Sequence, residues 1–252
     1  MADGEIAQTA TWINAGQVLE LIEDPNKQEK VYAYNLEIIF EDDHIAIVNK
    51  PAGITVSGNK FKTIANALPH NLRKSTQPDA LSKPTPVHRL DNQTSGILLI
   101  AKTKTAQIEL GKQFKNQTIK KKYCAIVIGE VLKSRIINSP IENKPSETNF
   151  EIIKVVKSLK YKELTCLKAF PKTGRTHQIR IHMSSIGHPI LGDKLYGNPE
   201  TIHKGKGLFL CASEIKFLHP KSFLQTTIKI DVPQKFNSLL AREKRRWNTY
   251  NF

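Results

Sequence analysis

The chain has 252 residues, 39% hydrophobic and 24% charged, which excludes wholesale disorder and supplies enough apolar side chains for a sizeable core. Its formal net charge of +15 is unevenly spread: residues 1–50 carry ten acids against three lysines, a net −7, which leaves +22 on the other 202 residues. The three cysteines (Cys124, Cys166, Cys211) are too few and too scattered for a disulfide scaffold, and no CxxC pair marks a zinc site.

Each cysteine sits among apolar neighbours and reads as a reduced core residue. The N-terminus has no basic stretch followed by an apolar run, and the longest apolar runs are only about five residues. The expectation is therefore a cytoplasmic protein that neither enters the secretory route nor spans a membrane. A body carrying +22 favours a polyanionic partner, nucleic acid first, against the plainer alternative of a lysine-rich solubilising surface.

In chain order, residues 1–34 read as an acidic appendage, with a Gly16 turn inside Trp12–Glu20, a turn at Asp24–Lys27 and a polar linker to Lys30. The main domain, 35–252, opens with a hairpin of Leu36–Phe40 and Ile45–Asn49 across the acidic turn Glu41-Asp42-Asp43, and Pro51 ends its second strand. Residues 71–87, with three prolines, read as an exposed loop. Gly96–Ala101 is a continuous apolar run of buried-strand type.

A helix is expected from a Thr105 cap to about Asn116, turning Ile108, Leu110 and Phe114 inward, and a strand over Tyr123–Ile128. Further strands are expected at Phe150–Val156, Leu164–Phe170, Leu208–Leu210 and Thr226–Val232. Strands outnumber helices and often follow one another directly. That order points to an α+β domain with a mixed, mainly antiparallel sheet flanked by helices.

Two segments are dense in polar residues. The first, Val87-His88-Arg89-Leu90-Asp91-Asn92-Gln93-Thr94-Ser95-Gly96, precedes the buried run at 97–101. In extended backbone Arg89 and Asp91 project to one side, where a cation can keep the carboxylate ionised; the plainer reading is a polar turn. The second, Gly174–Pro189, reads as a helix capped by Thr176 and stopped by Gly187 and Pro189. Ile179, Met183 and Ile186 form its core stripe; His177, Arg180 and Ser184 form a polar stripe suited to phosphate or carboxylate, or else a solvated face. His177, His182 and His188 are spaced by five and six residues, which does not gather imidazoles on one helical face, so no metal site is expected. Lys120–Lys122 and the tail Arg242–Trp247 read as solvated surface, with phosphate contact as a second use.

Taken together the motifs Asn49-Lys50-Pro51-Ala52-Gly53, His88-Arg89-Leu90-Asp91 with Thr94-Ser95-Gly96, Lys122-Tyr123 before a strand ending at Gly129, Gly174–Arg180, and Gly187–Asp193 resemble the RluA branch of the pseudouridine synthases. The resemblance covers about residues 35–232, and His before Arg-Leu-Asp, where the RsuA-like branch has Gly, sets the branch. It implies isomerisation of uridine to pseudouridine in ribosomal (large subunit) or transfer RNA without cofactor or metal; a monomer is the simpler expectation for the chain. Asp91 would be the essential carboxylate, attacking either the sugar C1′ or the base. Tyr123 would stack on the uracil and take part in late proton removal from C5, and Arg180 would pair with Asp91.

Arg89 would hold the flipped-out RNA conformation, and Leu210 would form the apolar pocket floor. His88, Lys122, Arg175 and His177 join Arg89 as candidate RNA contacts. The chemistry agrees with those roles. The reaction breaks N1–C1′ and joins C5 to C1′ with no water added, so one carboxylate suffices and the base must stay enclosed. Two departures stand out: residues 1–34 are similar only to the end of an S4-type RNA-binding module, and Thr85-Pro86-Val87 replaces the usual Pro-Gly-Ile before His88. The rival reading is a catalytically silent RNA clamp or folding helper on the same fold; retention of Asp91, Tyr123 and Arg180 favours the enzyme.

Overall fold

Two uninterrupted apolar runs, Ile45–Val48 and Ile97–Ala101, need burial on both faces, and the structure gives it to them. The computed structural model describes residues 1–8, 10–20, 31–198 and 205–250. Those residues form ten strands in one sheet and four α-helices. In chain order they are β1 Glu37–Glu41, β2 Ile45–Lys50, α1 Ile64–Asn71, β3 Ala80–Pro86, β4 Ser95–Thr103, α2 Lys104–Lys115 and β5 Lys120–Ile128. There follow β6 Arg135–Ile137, β7 Thr148–Ser158, β8 Lys162–Pro171, α3 Gln178–Ser185, β9 Leu210–Leu218, β10 Gln225–Lys229 and α4 Gln234–Tyr250. The sheet order is β1-β2-β4-β9-β5-β8-β7-β6, with β3 also on β4 and β10 also on β9. Every pairing is antiparallel except β4 with β9. The α+β class and mainly antiparallel sheet expected from the strand order are what is found.

Alternation along the strands assigns the helices to faces. Ala46, Val48, Leu98 and Ile100 pack on α1, while Ile45, Ile47, Ile97 and Leu99 pack on α2. In β5 and β8, Ala125, Val127 and Leu167 meet Ile179 and Met183 of α3; Cys124, Ile126 and Cys166 meet Phe236, Leu239 and Leu240 of α4. All three cysteines are buried and free. Tyr123 packs against both the α1-side and the α3-side clusters, so its ring stands at the seam between the two halves of the sheet.

That seam is the parallel pair Ser95↔Cys211 and Gly96↔Ala212. Gly96 has φ +113°, and a Cβ there would lie 2.2 Å from the Ala212 carbonyl oxygen. Only glycine lets the two strands approach this closely. Gly96→Ala is therefore expected to destabilise the protein by about 3 kcal/mol or more, seen as a melting temperature lowered by roughly 6–12 °C.

Several expectations are corrected. The 71–87 stretch is not all loop: its second half forms β3, which pairs with β4 alone, and Pro84 and Pro86 are tolerated on that outer strand. Helix α2 is capped by Thr103, whose hydroxyl takes the Ala106 N–H at 3.2 Å, and Thr105 gives its N–H to Asp79; Ile108 faces solvent while Ala106 and Leu110 are buried. The basic tail is solvated as expected, with Lys244, Arg245 and Arg246 exposed, but it lies on a helix that was not foreseen, α4, whose Phe236, Leu239, Leu240 and Glu243 are buried at i, i+3, i+4 and i+7. The β9 strand runs on from Leu210 to Leu218, well beyond Leu208–Leu210.

Residues 1–30 and 31–252 cluster as separate units. In the first, a turn at Asp3-Gly4 is held by the Asp3 carboxylate, which accepts from Val18 N at 2.8 Å and Gln17 Nε2 at 2.9 Å. Trp12–Glu20 makes the expected Gly16 turn, and Leu19 forms one bridge, to Ala2. The expected Asp24–Lys27 turn and linker lie outside the described residues.

Candidate active site

The loop between β3 and β4 is anchored before it presents any chemistry. Lys50, fully buried at the end of β2, donates from Nζ to Pro51 O at 2.8 Å and Asn92 O at 3.1 Å. Gly53 N also donates to Asn92 O at 2.8 Å, and Asn92 Nδ2 to Gly53 O at 3.2 Å. The Asn49–Gly53 motif thus acts as a clamp on the residue that follows Asp91. From the other side, Thr94 N donates to Asp91 O at 3.1 Å, closing a turn that runs straight into β4. Burial pushes the Lys50 ammonium down to about 8, against the opposing field of Asp91.

The folded chain therefore holds this proton less tightly than the unfolded chain does, so between about pH 8 and the ordinary lysine value of 10.5 Lys50 makes stability rise with pH. Between pH 8 and 10 that gain is about 2 kcal/mol. Melting curves of wild type and Lys50→Met at the two pH values check it. The wild type should improve relative to the variant, and parallel behaviour would show that Lys50 is not the group involved.

Asp91 opens into a cavity of about 480 Å³ whose wall also includes Arg89, Thr94, Tyr123, His177, Arg180 and Leu210. Its side chain is 16% exposed and has two nitrogen neighbours, Arg180 Nη1 at 3.7 Å and His177 Nε2 at 3.9 Å, both beyond hydrogen-bond reach. Arg180 stands in the expected ion pair with Asp91 at 3.7 Å, while its hydrogen-bonding fork is closed on Asp193, with Nε to Oδ2 at 2.7 Å and Nη2 to Oδ1 at 2.8 Å. The remaining Nη1 faces Asp91.

Asp193 also accepts the N–H groups of Leu195 at 3.0 Å and Tyr196 at 3.2 Å. Burial would raise its pKa, but these bonds outweigh burial and hold it below the ordinary carboxylate value. Burial would likewise lower Arg180, but the bonds to Asp193, with a further contribution from Asp91, raise it, so the guanidinium stays charged. For Tyr123, burial first and the Asp91 charge second push the phenol well above its ordinary value, so it is protonated at neutral pH.

The α3 helix begins later than expected. Its cap is His177, in left-handed backbone at φ 55° with no side-chain capping bond, so Thr176 is not the cap. That twist turns the imidazole toward Asp91, while Nδ1 meets Tyr196 Oη at 3.0 Å. The expected polar stripe is real but is not a solvated face. His177, Arg180 and Ser184 all dock on residues 193–196, Ser184 through Oγ to Tyr196 O at 2.8 Å.

The remaining expected residues divide. Arg89 is exposed on the cavity wall, and Arg175 lines the cavity while its Nε donates to Pro145 O at 3.1 Å. Leu210 is a buried part of the wall. His88 also lines the cavity, but its Nε2 accepts the Leu99 N–H at 3.0 Å, standing in for the next strand carbonyl of β3, and its ring stacks on Phe114 at 4.9 Å. Burial, aided by the charge of Lys121, pushes His88 down to about 3, so it is a neutral part of the scaffold.

Lys122 is not on the cavity wall and pairs instead with Glu214. Lys121 is on the wall, two residues before Tyr123 on the same strand face, with Nζ donating to Thr173 O at 3.0 Å. The period of two along a strand was the signal that selects it over Lys122. The three histidines go to separate places: His177 to Asp91 and Tyr196, His182 to Ser146 and Thr148, and His188 to the Ile128 carbonyl.

A family model described as RNA pseudouridylate synthase matches residues 44–185, a span that holds Asp91, Tyr123 and Arg180. The chain is 38% identical over 237 residues to a ribosomal large subunit pseudouridine synthase C of Vibrio parahaemolyticus, covering 85% of this chain and 71% of that protein. It is 37% identical over 221 residues to a ribosomal large subunit pseudouridine synthase D of Nitrosomonas europaea, covering 78% of this chain and 62% of that protein's length. A dual-specificity RNA pseudouridine synthase RluA of Vibrio vulnificus is 37% identical over 204 residues, 74% of this chain and 79% of its own.

Among solved structures, human RNA pseudouridylate synthase domain containing 4 superposes with TM-score 0.66 at 19% identity, covering 82% of this chain and 93% of that one; at that identity the likeness speaks to fold alone. Motif order, sheet and relatives agree: the chain belongs to the RNA pseudouridylate synthase family.

Proposed function

We propose that the protein isomerises uridine to pseudouridine in RNA, that Asp91 is the carboxylate that reacts with the nucleotide, and that residues 35–252 carry the activity. The observation that supports this most is an acid on the cavity wall, 16% exposed, with no hydrogen bond to either Arg180 or His177 beside it. A structural carboxylate would be hydrogen-bonded, as Asp193 is; Asp91 lies 3.7 Å from Arg180 Nη1, too far for a hydrogen bond, and is left free to react. A cavity of about 480 Å³ has room for one nucleotide and little else.

Each further residue takes a part in the same reaction. Tyr123, protonated and at the sheet seam, offers a ring to replace the stacking lost when uridine leaves its helix. Leu210 floors the cavity, and Arg180 faces Asp91 through Nη1. Arg89, Arg175 and Lys121 supply cationic groups on the wall for flanking phosphates. As N1–C1′ breaks and C5–C1′ forms, the C5 proton leaves and N1 gains one, so the atoms balance without water or an external reagent.

The large ribosomal subunit named for two of the relatives above makes its RNA the first target, and the motif resemblance makes transfer RNA the second. The test is incubation of the purified protein with transcripts of both, followed by nucleoside mass spectrometry. New pseudouridine in either supports the reading. Its absence from every large-subunit and transfer RNA tried would refute it.

A further inference from the structure

The two side chains that flank the Asp91 carboxylate, Arg180 and His177, both touch one residue behind them, Tyr196. The Arg180 guanidinium lies over the phenol ring, its Cζ 5.1 Å from the ring centre, and the His177 imidazole meets the ring edge to face at 5.6 Å. The Tyr196 hydroxyl stands 3.0 Å from His177 Nδ1. Tyr196 is not on the cavity wall, so any part it takes in the reaction passes through these neighbours.

Both ends of the hydroxyl contact are held by backbone. Tyr196 N donates to Asp193 Oδ1 at 3.2 Å, its carbonyl accepts Ser184 Oγ at 2.8 Å, and Gly197 N donates to Asp193 O at 3.1 Å. A Cβ on Gly197 would lie 2.3 Å from that carbonyl oxygen, so the turn closes because glycine stands there. Across from it, His177 keeps left-handed backbone, uncommon outside glycine, with no capping bond to favour it.

Phenylalanine at 196 would fill the same space and make both ring contacts; what the hydroxyl adds is a grip on Nδ1. The carboxylate decides how that bond runs. A bare Nε2 lone pair 3.9 Å from Asp91 Oδ1 would repel it, so in the neutral imidazole the proton sits on Nε2 and Nδ1 accepts from the phenol. The ring then presents an N–H toward the reacting oxygen, and it can neither turn nor exchange tautomers without losing the bond to Tyr196.

We infer that Tyr196 is a positioning residue for the reaction, whose hydroxyl fixes the orientation and tautomer of His177 beside Asp91. This rests on the pseudouridine synthase reading and extends it to a residue outside the cavity. The test compares Tyr196→Phe, His177→Asn and the double variant; asparagine suits left-handed backbone, so it keeps the start of α3. Tyr196→Phe should lower kcat on an RNA substrate by about 10-fold, with KM within about twofold of wild type. Its melting temperature should stay within about 3 °C of wild type, since the ring contacts survive. His177→Asn should lose at least as much rate, and the double variant should be no slower than His177→Asn alone, because the hydroxyl has nothing left to hold.

Tyr196→Phe turnover within about twofold of wild type would overturn the inference, as would a fully active His177→Asn. A double variant that loses the product of the two single effects would place the role of Tyr196 elsewhere and overturn it too. So would a Tyr196→Phe protein that melts clearly lower or fails to fold, since the hydroxyl would then serve the fold. If the wild type makes no pseudouridine, the functional reading fails and this inference falls with it; if the wild type is active and Tyr196→Phe equally so, this inference alone fails.

Discussion

Asp91→Asn is expected to reduce pseudouridine formation by at least about 10³-fold while leaving the fold and RNA affinity nearly intact. The separation follows from the geometry. Arg180 Nη1 and His177 Nε2 stand 3.7 and 3.9 Å from the carboxylate, so no short bond within the protein is lost when one oxygen becomes an amide nitrogen. The backbone of the same turn is held independently, by Lys50 and Gly53 on Asn92 O and by Thr94 N on Asp91 O. Single-turnover formation of product and equilibrium RNA binding, measured on the same preparation, give the two halves. A variant that keeps a tenth or more of the rate would remove Asp91 from the chemistry; one that loses RNA binding in proportion would make it a binding residue.

Arg180→Met should act on stability and rate together. The guanidinium and Asp193 form a buried two-bond pair, and the Asp193 side chain is 0% exposed. Taking away the cation leaves that carboxylate with only two backbone N–H partners in a dry site, a loss of about 3–5 kcal/mol or a fall in melting temperature of roughly 6–20 °C. Because Nη1 also faces Asp91, the surviving folded protein should turn over about 100-fold slower or worse. Arg180→Lys should not restore the pair, since an ammonium cannot make the two-pronged contact.

The sign with pH can be checked as well. Asp193 has a depressed folded-state pKa, so its stabilisation is present above the ordinary value of 3.8 and is lost as pH falls through the lower folded value. Wild type should thus lose more stability on acidification than Arg180→Met does. Equal acid sensitivity would mean that the pair contributes nothing.

Much of the centre was legible because its signals are local and strong. Uninterrupted apolar runs with proline and glycine at their ends marked β2 and β4, and the turn residues before β4 marked the loop that carries Asp91. Other features depend on contacts that no local pattern carries. Whether Arg180 closes on Asp91 or on Asp193 is decided by residues thirteen positions downstream of it, and an arginine fork fits either carboxylate. His88 was a candidate for RNA through the His88-Arg89-Leu90-Asp91 motif; its bond to Leu99 exists only once β3 lies against β4.

Some misses had a readable signal. The apolar spacing Phe236, Leu239, Leu240 lies under the basic residues of α4 and marks a packed helix, and the two-residue step from Lys121 to Tyr123 marks the lysine that shares its face. The β3 strand was obscured by its prolines, which an outer strand accepts and an inner one does not.

The most direct measurement uses transcripts carrying tritium at C5 of uridine. Making the C5–C1′ bond expels that hydrogen, so each pseudouridine formed should release one tritium to water, with the RNA chain uncut. Wild-type protein should release tritium in step with pseudouridine counted by mass spectrometry, and Asp91→Asn should release none above background. No release by the wild type from any large-subunit or transfer RNA, or equal release by the two proteins, would contradict the assignment of this chemistry to the Asp91 cavity.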